Sequence, residues 1–210
     1  MLIESLQNEK IKNLTRLITD NRFRKKSGTF VVEGQQENAM AANFGFDVQE
    51  YFICESIYSE DFPKGKINLV SEKVYEKIAY RGSSEGIIGV YKTKYSKLNT
   101  FVPQENSSVI IVESIEKPGN LGAILRSCEA FGIEALIITD PKVDFYNPNV
   151  IRSSVGCLFG MKVFQSANED LFEFLQEKGF NIFTTLMDES AEHIDQQNFK
   201  GNSALLFGTE

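Results

Sequence analysis

The sequence has 210 residues, 42% hydrophobic and 24% charged, with five prolines, the composition of a folded chain long enough for one large domain or two small ones and not of a disordered one. A formal net charge of −7 and a pI near 5.0 argue against indiscriminate nucleic-acid binding, which depends on Lys and Arg neutralising phosphates. No apolar run approaches the roughly 18 residues of a spanning helix, and Cys54, Cys128 and Cys157 are far apart with no C-x-x-C, so no membrane span, disulfide framework or zinc site is expected and a cytoplasmic location is.

The opening MLIESLQNEKIKNL lacks the uninterrupted apolar core of a signal peptide. Residues 4–19 place Leu6, Ile11, Leu14, Leu17 and Ile18 at helical spacing, and the polar stretch DNRFRKKSG is expected to end that helix as a basic turn before a strand at Thr29–Val32. From Lys10 to Lys26 the chain carries Lys10, Lys12, Arg16, Arg22, Arg24, Lys25 and Lys26 against the single acid Asp20. Such a run is more often a solvated face than a binding surface.

Glu33-Gly34 leads into a helical stretch through Ala41, then a strand at Tyr51–Cys54, a short helix around Val74–Ile78 and a strand at Gly86–Tyr91, an alternation that predicts a small α/β domain over residues 1–95. Residues 96–107 are polar and unpatterned and read as a linker.

A second domain is expected over 108–210. Val109–Val112 is a continuous apolar run, as in a strand buried on both faces of a parallel sheet. Lys117-Pro118-Gly119-Asn120 turns the chain, with Asn120 placed to cap the next helix. Leu121, Ile124, Leu125, Cys128 and Phe131 form its apolar stripe, Gly132 ends it and Ala135–Thr139 is the following strand. The pattern then predicts a helix opened by Asn147-Pro148, a strand at Leu158–Phe164, a helix at Glu169–Lys178, and strands at Asn181–Leu186 and Ser203–Phe207. The result is an open, mostly parallel α/β sheet.

Ligands of such sheets bind beyond the carboxyl ends of the strands, here the segments after Ile115, Thr139, Leu186 and Phe207. No G-x-G-x-x-G or Walker motif is present, His193 is the single histidine and no Ser-His-Asp set or metal pair can be built around it. Asn120 at a helix start with Arg126 six residues on is the best constellation, although a capping Asn and a solvated Arg would look the same.

The string PGNLGAILRSCEAFG resembles the first motif of the SpoU-type RNA 2′-O-ribose methyltransferases of the SPOUT superfamily, in which an Asn-x-Gly opens the helix and an Arg follows six residues after the Asn: here Asn120, Gly122 and Arg126. FVVEGQQEN, EGIIGV, NPNVIRSSVGCLF and SALLFGTE fall in the order that family has, so the resemblance covers nearly the whole chain. Many members have Asp-Pro where this chain has Lys117-Pro118.

The resemblance implies a ribosomal-protein-like α/β domain that selects structured RNA, ribosomal before transfer RNA, followed by a SPOUT-like domain that moves a methyl group from S-adenosylmethionine to a ribose 2′-hydroxyl without a metal. It implies Arg126, Asn120 and Glu210 as catalytic residues and Thr185, Leu186, Phe207 and Gly208 as cofactor-binding. Arg22, Arg24, Lys25, Lys26, Arg81, Arg152 and Ser154 are then the candidate RNA contacts. A homodimer through the knotted region is expected. The family's third motif, a Ser-Leu-Asn block that forms the trefoil knot and much of the cofactor pocket, would follow Glu210, so these 210 residues are expected to bind cofactor poorly and to be inactive alone. Two rivals stay open: a non-catalytic RNA-binding protein of the same fold, and a small-molecule-binding α/β domain with no RNA affinity.

Overall fold

A computed structural model describes residues 2–79, 85–189 and 191–208. In chain order the elements are β1 (Leu2–Ile3), α1 (Glu9–Thr19), α2 (Asn21–Ser27), β2 (Thr29–Glu33), α3 (Gln35–Asn43), β3 (Val48–Ile53), β4 (Ile67–Val70), α4 (Glu72–Ile78), β5 (Ile87–Lys92), β6 (Ser108–Glu113), α5 (Pro118–Ala130), β7 (Ala135–Thr139), α6 (Pro148–Ser153), α7 (Cys157–Gly160), β8 (Lys162–Ser166), α8 (Asn168–Glu177), β9 (Asn181–Thr184) and β10 (Ser203–Phe207). They gather into two compact units. Met1–Lys94 joins Asp144–Gly160 in one, and Tyr95–Val143 joins Met161–Glu210 in the other.

The first unit is a mixed five-stranded sheet in the order β1-β4-β3-β5-β2, parallel among β1, β4 and β3 and antiparallel at both edges of β5. Helix α1 opens on Asn8, whose side chain accepts from the Lys10 amide at 2.9 Å, as an N-cap should. Its Ile11, Leu14 and Leu17, one face of the helix, are buried with Val31, Phe52, Val74 and Ile88.

The expected basic turn is instead a second helix. Asp20 closes α1 and caps α2 by accepting from the Phe23 amide at 3.1 Å, and Gly28 ends α2 in the left-handed region at φ 64°; a cap at each end outweighs the polar composition. This helix carries Arg24 inward. Only 2% exposed, its Nε donates to Asp144 Oδ2 at 2.8 Å and its Nη1 donates to the Leu17 and Ile18 carbonyls at 2.8 and 3.3 Å, which are among the acceptors left over at the end of α1. Asp144 also accepts from the Tyr146 amide at 3.0 Å.

Residues 144–160, which chain order alone would assign to the second half, thus complete the first unit. Tyr146 stacks on Phe30 with ring centroids 4.2 Å apart, and Phe159 meets Phe46 edge-on at 5.1 Å. Under them lies a polar knot in which the Tyr91 hydroxyl donates to Asn38 Oδ1 at 3.0 Å and Asn38 donates to the Val32 and Gly34 carbonyls. Gly89 leaves room for it, because a Cβ there would strike Asn38, Tyr91 and Tyr51.

The second unit is an all-parallel sheet in the order β8-β7-β6-β10-β9. Its central strands β7, β6 and β10 are nearly continuous apolar runs, as expected where a sheet is covered on both faces; Val109, Ile111, Ala135, Ile137 and Ala204 form a core with Leu171, Phe174 and Leu175 of α8. The chain leaves β6 through α5 to β7 on one side and returns to β6 on the other as β10. The strand order therefore switches between β6 and β10.

Three expectations need correction. The apolar run expected as a strand at Leu158–Phe164 splits into the short α7 and β8, since a short apolar run has no periodicity that distinguishes the two. Asn120 is not the cap of α5: Lys117 holds that position and Pro118 opens the helix, where its missing N–H costs nothing. Phe131 sits at the C-cap and is 82% exposed, leaving Leu121, Leu125 and Cys128 as the buried stripe.

Candidate active site

At the switch point, beyond the carboxyl ends of β6 and β10, lies a cavity of about 480 Å³ lined by Val112, Glu113, Ser114, Ile115, Glu116, Lys117, Asn120, Ile124, Phe207 and Gly208. This is where an open parallel sheet presents backbone and loop groups to a ligand. The first turn of α5 forms one wall, its Asn120 and Leu121 amides turned back onto the Lys117 carbonyl at 3.1 and 3.2 Å. Gly208 forms part of another, and a Cβ there would meet nothing within 4 Å, so backbone is accessible to an incoming molecule.

At Ser114 in the lining and at its neighbour Asp140 outside it, the backbone is conformationally strained. Ser114 and Asp140, at the ends of the adjacent strands β6 and β7, both have positive φ, 50° and 41°. Non-glycine residues hold such angles only where their surroundings fix them. Here the Ser114 amide donates to the Thr139 carbonyl and its hydroxyl donates to Asp140 Oδ2, each at 2.9 Å. The Lys142 ammonium, 2.7 Å from the same carboxylate, and the Ser114 hydroxyl hold Asp140 below the usual carboxylate range.

Asn120, Phe207 and Gly208 are the sequence-predicted residues that this cavity brings together. Arg126 is exposed and not in its lining; helix geometry sets it about 9 Å along the axis from Asn120 and about 120° around it. Thr185 donates both its amide and its hydroxyl to the Leu206 carbonyl, at 3.0 and 3.2 Å, and Leu186 is 70% exposed. Glu210 and Arg81 lie outside the described residues. Glu113, Ser114, Glu116 and Lys117 were not singled out from the sequence, although the carboxyl-end rule pointed to that stretch.

Of the residues expected to touch RNA, Arg22, Lys25, Lys26 and Arg152 are exposed. Arg24 is corrected: its guanidinium is buried against Asp144 and two carbonyls and has no access to a phosphate. Ser154 is corrected too, being fully buried with its hydroxyl donating to the Ile151 carbonyl at 2.8 Å. Arg152 borders a smaller cleft of about 100 Å³ with Glu33, Glu37 and Glu85. Burial, with a contribution from Glu85, raises the Glu37 carboxyl against the pull of Arg152. Among the described residues no group of three or more His, Cys, Asp or Glu is placed to hold a metal ion.

Comparison with known proteins gives two family matches: residues 107–210 match the SpoU rRNA Methylase family, and residues 8–89 match the MRM3-like substrate binding domain. The chain is 25% identical over 210 residues to the Bacillus subtilis 23S rRNA (guanosine(2553)-2′-O)-methyltransferase RlmP, covering 99% of this chain and 82% of that one. It is also 25% identical over 187 residues to the Xenopus laevis mitochondrial rRNA methyltransferase 3, covering 82% of this chain but only 44% of the relative. In fold it matches the crystal structure of an AdoMet-bound rRNA methyltransferase from Sinorhizobium meliloti, with a TM-score of 0.87 at 22% identity over 98% of this chain and 80% of that one.

Proposed function

Because the chain belongs to the SpoU rRNA methylase family, we propose that it methylates a ribose 2′-hydroxyl of ribosomal RNA with S-adenosylmethionine as donor, in the cavity at the ends of β6 and β10. The observation that carries this reading is the convergence of Asn120, Phe207 and Gly208 on one cavity at the strand-order switch. A volume of about 480 Å³ is within the range of small-molecule and cofactor sites, and the ring of Phe207 beside the bare backbone of Gly208 suits the flat face of an adenosine. The cofactor supplies an electrophilic methyl group.

This chain's residues supply position and charge. The Asn120 amide can both donate to and accept from a ribose hydroxyl, fixing its direction of attack. A guanidinium offers donors only and makes a poor general base, so Arg126 is assigned to the RNA phosphate and to stabilising the oxygen as it gains negative charge. Glu210 keeps its proposed catalytic role, and Thr185 and Leu186 theirs in cofactor binding, on family resemblance alone. Arg22, Lys25 and Lys26 on α2, with Arg81 and Arg152, are the proposed phosphate contacts of the first domain. A cytoplasmic homodimer accompanies this proposal, supported by the exposed apolar Phe131, Ile182, Leu186 and Met187 of the second unit.

The test is transfer of radiolabelled methyl from S-adenosylmethionine to in vitro transcribed 23S ribosomal RNA by the full-length protein. Label that resists alkaline hydrolysis marks a 2′-O-methyl group. RNA binding without transfer to ribosomal or transfer RNA would favour the rival non-catalytic RNA-binding protein.

A further inference from the structure

Two residues in an unfavourable conformation hold the exit of β6. Among the described residues, four that are not glycine have positive φ, Asn106, Ser114, Asp140 and Val155, and two of these, Ser114 and Asp140, stand side by side where β6 and β7 end. A side chain at such an angle crowds its own backbone, and the conformation lasts only where contacts over-determine it. Ser114 has two such contacts, both toward β7: its amide donates to the Thr139 carbonyl and its hydroxyl donates to Asp140 Oδ2, each at 2.9 Å. The accepting carboxylate is itself held, since the Lys142 ammonium lies 2.7 Å from the same oxygen.

The order of the strands says what this tie does. β6 runs between β7 and β10, with Val112 level with Ile138 on one side and with Phe207 on the other. The cavity opens on the β10 side: Phe207 and Gly208 line it, and among the described residues none of β7 does. Both bonds of Ser114 therefore draw the departing chain toward β7 and clear of the space above Phe207 and Gly208, and Ile115, Glu116 and Lys117 take up the wall from there. We infer that Asp140, acting through Ser114, is a positioning residue that keeps this side of the cavity open for S-adenosylmethionine. This rests on the cavity being the methyl-transfer site. Without the tie, the exit of β6 relaxes toward an ordinary φ and the methyl donor must first restore the open form, so its apparent affinity falls by the fraction of molecules that keep it. Saturating methyl donor restores that fraction. The effect thus belongs in the KM for S-adenosylmethionine and not in kcat.

The experiment is calorimetric binding of S-adenosylmethionine to the full-length protein and its variants, with methyl-transfer kinetics and thermal melts alongside. Asp140→Gly removes the carboxylate while keeping φ 41° accessible. It should weaken binding about tenfold, the effect of an open form reduced to about one molecule in ten, and raise the KM for S-adenosylmethionine equally, with kcat within about twofold of wild type. Ser114→Ala, which keeps the crowded backbone and loses the hydroxyl, should match it. Asp140→Asn keeps an oxygen acceptor on a side chain that tolerates positive φ, so affinity should recover to within about threefold. In a Ser114→Gly background the turn has no strain to be held, and adding Asp140→Gly should change affinity less than about twofold. Wild-type affinity in Asp140→Gly would overturn the inference even with a lowered melting temperature, since a merely structural tie affects stability alone. An equal loss from Asp140→Gly in both backgrounds would overturn it as well, because the effect would not pass through Ser114, and so would a lowered kcat at saturating methyl donor. Should Asp140→Gly not fold, the decision passes to Ser114→Ala, where wild-type affinity is the refuting result. Wild-type protein that binds no S-adenosylmethionine would overturn the proposed function and this inference together, whereas binding that is equal in wild type and variants overturns the inference alone.

Discussion

Replacing Arg24 by Met tests whether the pair with Asp144 holds the first unit together. Both side chains are almost wholly buried, 3% and 4% exposed, with Nε and Oδ2 2.8 Å apart. The substitution leaves the Asp144 carboxylate in the interior without its counter-charge, a loss of about 3–5 kcal/mol for a broken buried pair, and strips a donor from the Leu17 and Ile18 carbonyls. With a urea m-value of about 1.5 kcal/mol/M, a loss of about 4 kcal/mol lowers the midpoint by about 2.7 M. The double variant Arg24→Met with Asp144→Leu removes both charges and is expected to recover most of this, since an apolar replacement of a buried pair is often neutral. The chain has no tryptophan and seven tyrosines, so unfolding is followed by far-UV circular dichroism and tyrosine fluorescence. A cost below about 1 kcal/mol for Arg24→Met, or a double variant no more stable than the single, would refute the reasoning, because a desolvated charge cannot be that cheap.

Gly89→Ala should cost about 1–3 kcal/mol by overpacking, since its Cβ would push on Asn38, Tyr91 and Tyr51; a thermal melt checks it. Leu125→Ala empties a fully buried position of α5 and should cost about 2–5 kcal/mol. Burial pushes the Cys128 thiol up to about 11, so at pH 8 iodoacetamide should leave Cys128 unmodified until denaturant is added, as read by mass spectrometry. Although burial opposes it, hydrogen bonds from Asn68 and Lys66 lower Glu50, and those from Lys162 and the Gln104 amide lower Glu134, below the ordinary 4.5. Their stabilisation is complete above about pH 4.5 and lost as pH falls through the depressed folded values, so the urea midpoint should fall on acidification below about pH 4.5, and less steeply in Lys162→Ala.

Much of this was legible in the sequence. The parallel sheet could be read from β6, β7 and β10, whose apolar runs have the length and boundaries of buried strands. The site could be anticipated because the strand-end rule and the Asn120 motif converge on one stretch. What escaped was long-range. Nothing local distinguishes Arg24 from its neighbours Arg22, Lys25 and Lys26; its burial depends on an aspartate 120 positions away. Ser154 likewise looks like a surface hydroxyl until the turn closes over it. Strand β4 is four residues long and shows little pattern of its own, being held by pairing with β3 and β1.

The first unit's debt to residues 144–160 reaches back to synthesis. When residue 94 leaves the ribosome, the aromatic face of Phe30 and Phe46 lacks the cover of Tyr146 and Phe159, and the guanidinium of Arg24 lacks its counter-charge. Another 50 residues must be added before Asp144 exists, which takes about 3–10 s at about 5–20 residues per second. The nascent amino-terminal half therefore waits unfinished, open to chaperones and proteases, and its final structure is sealed only after β6, α5 and β7 have all been made.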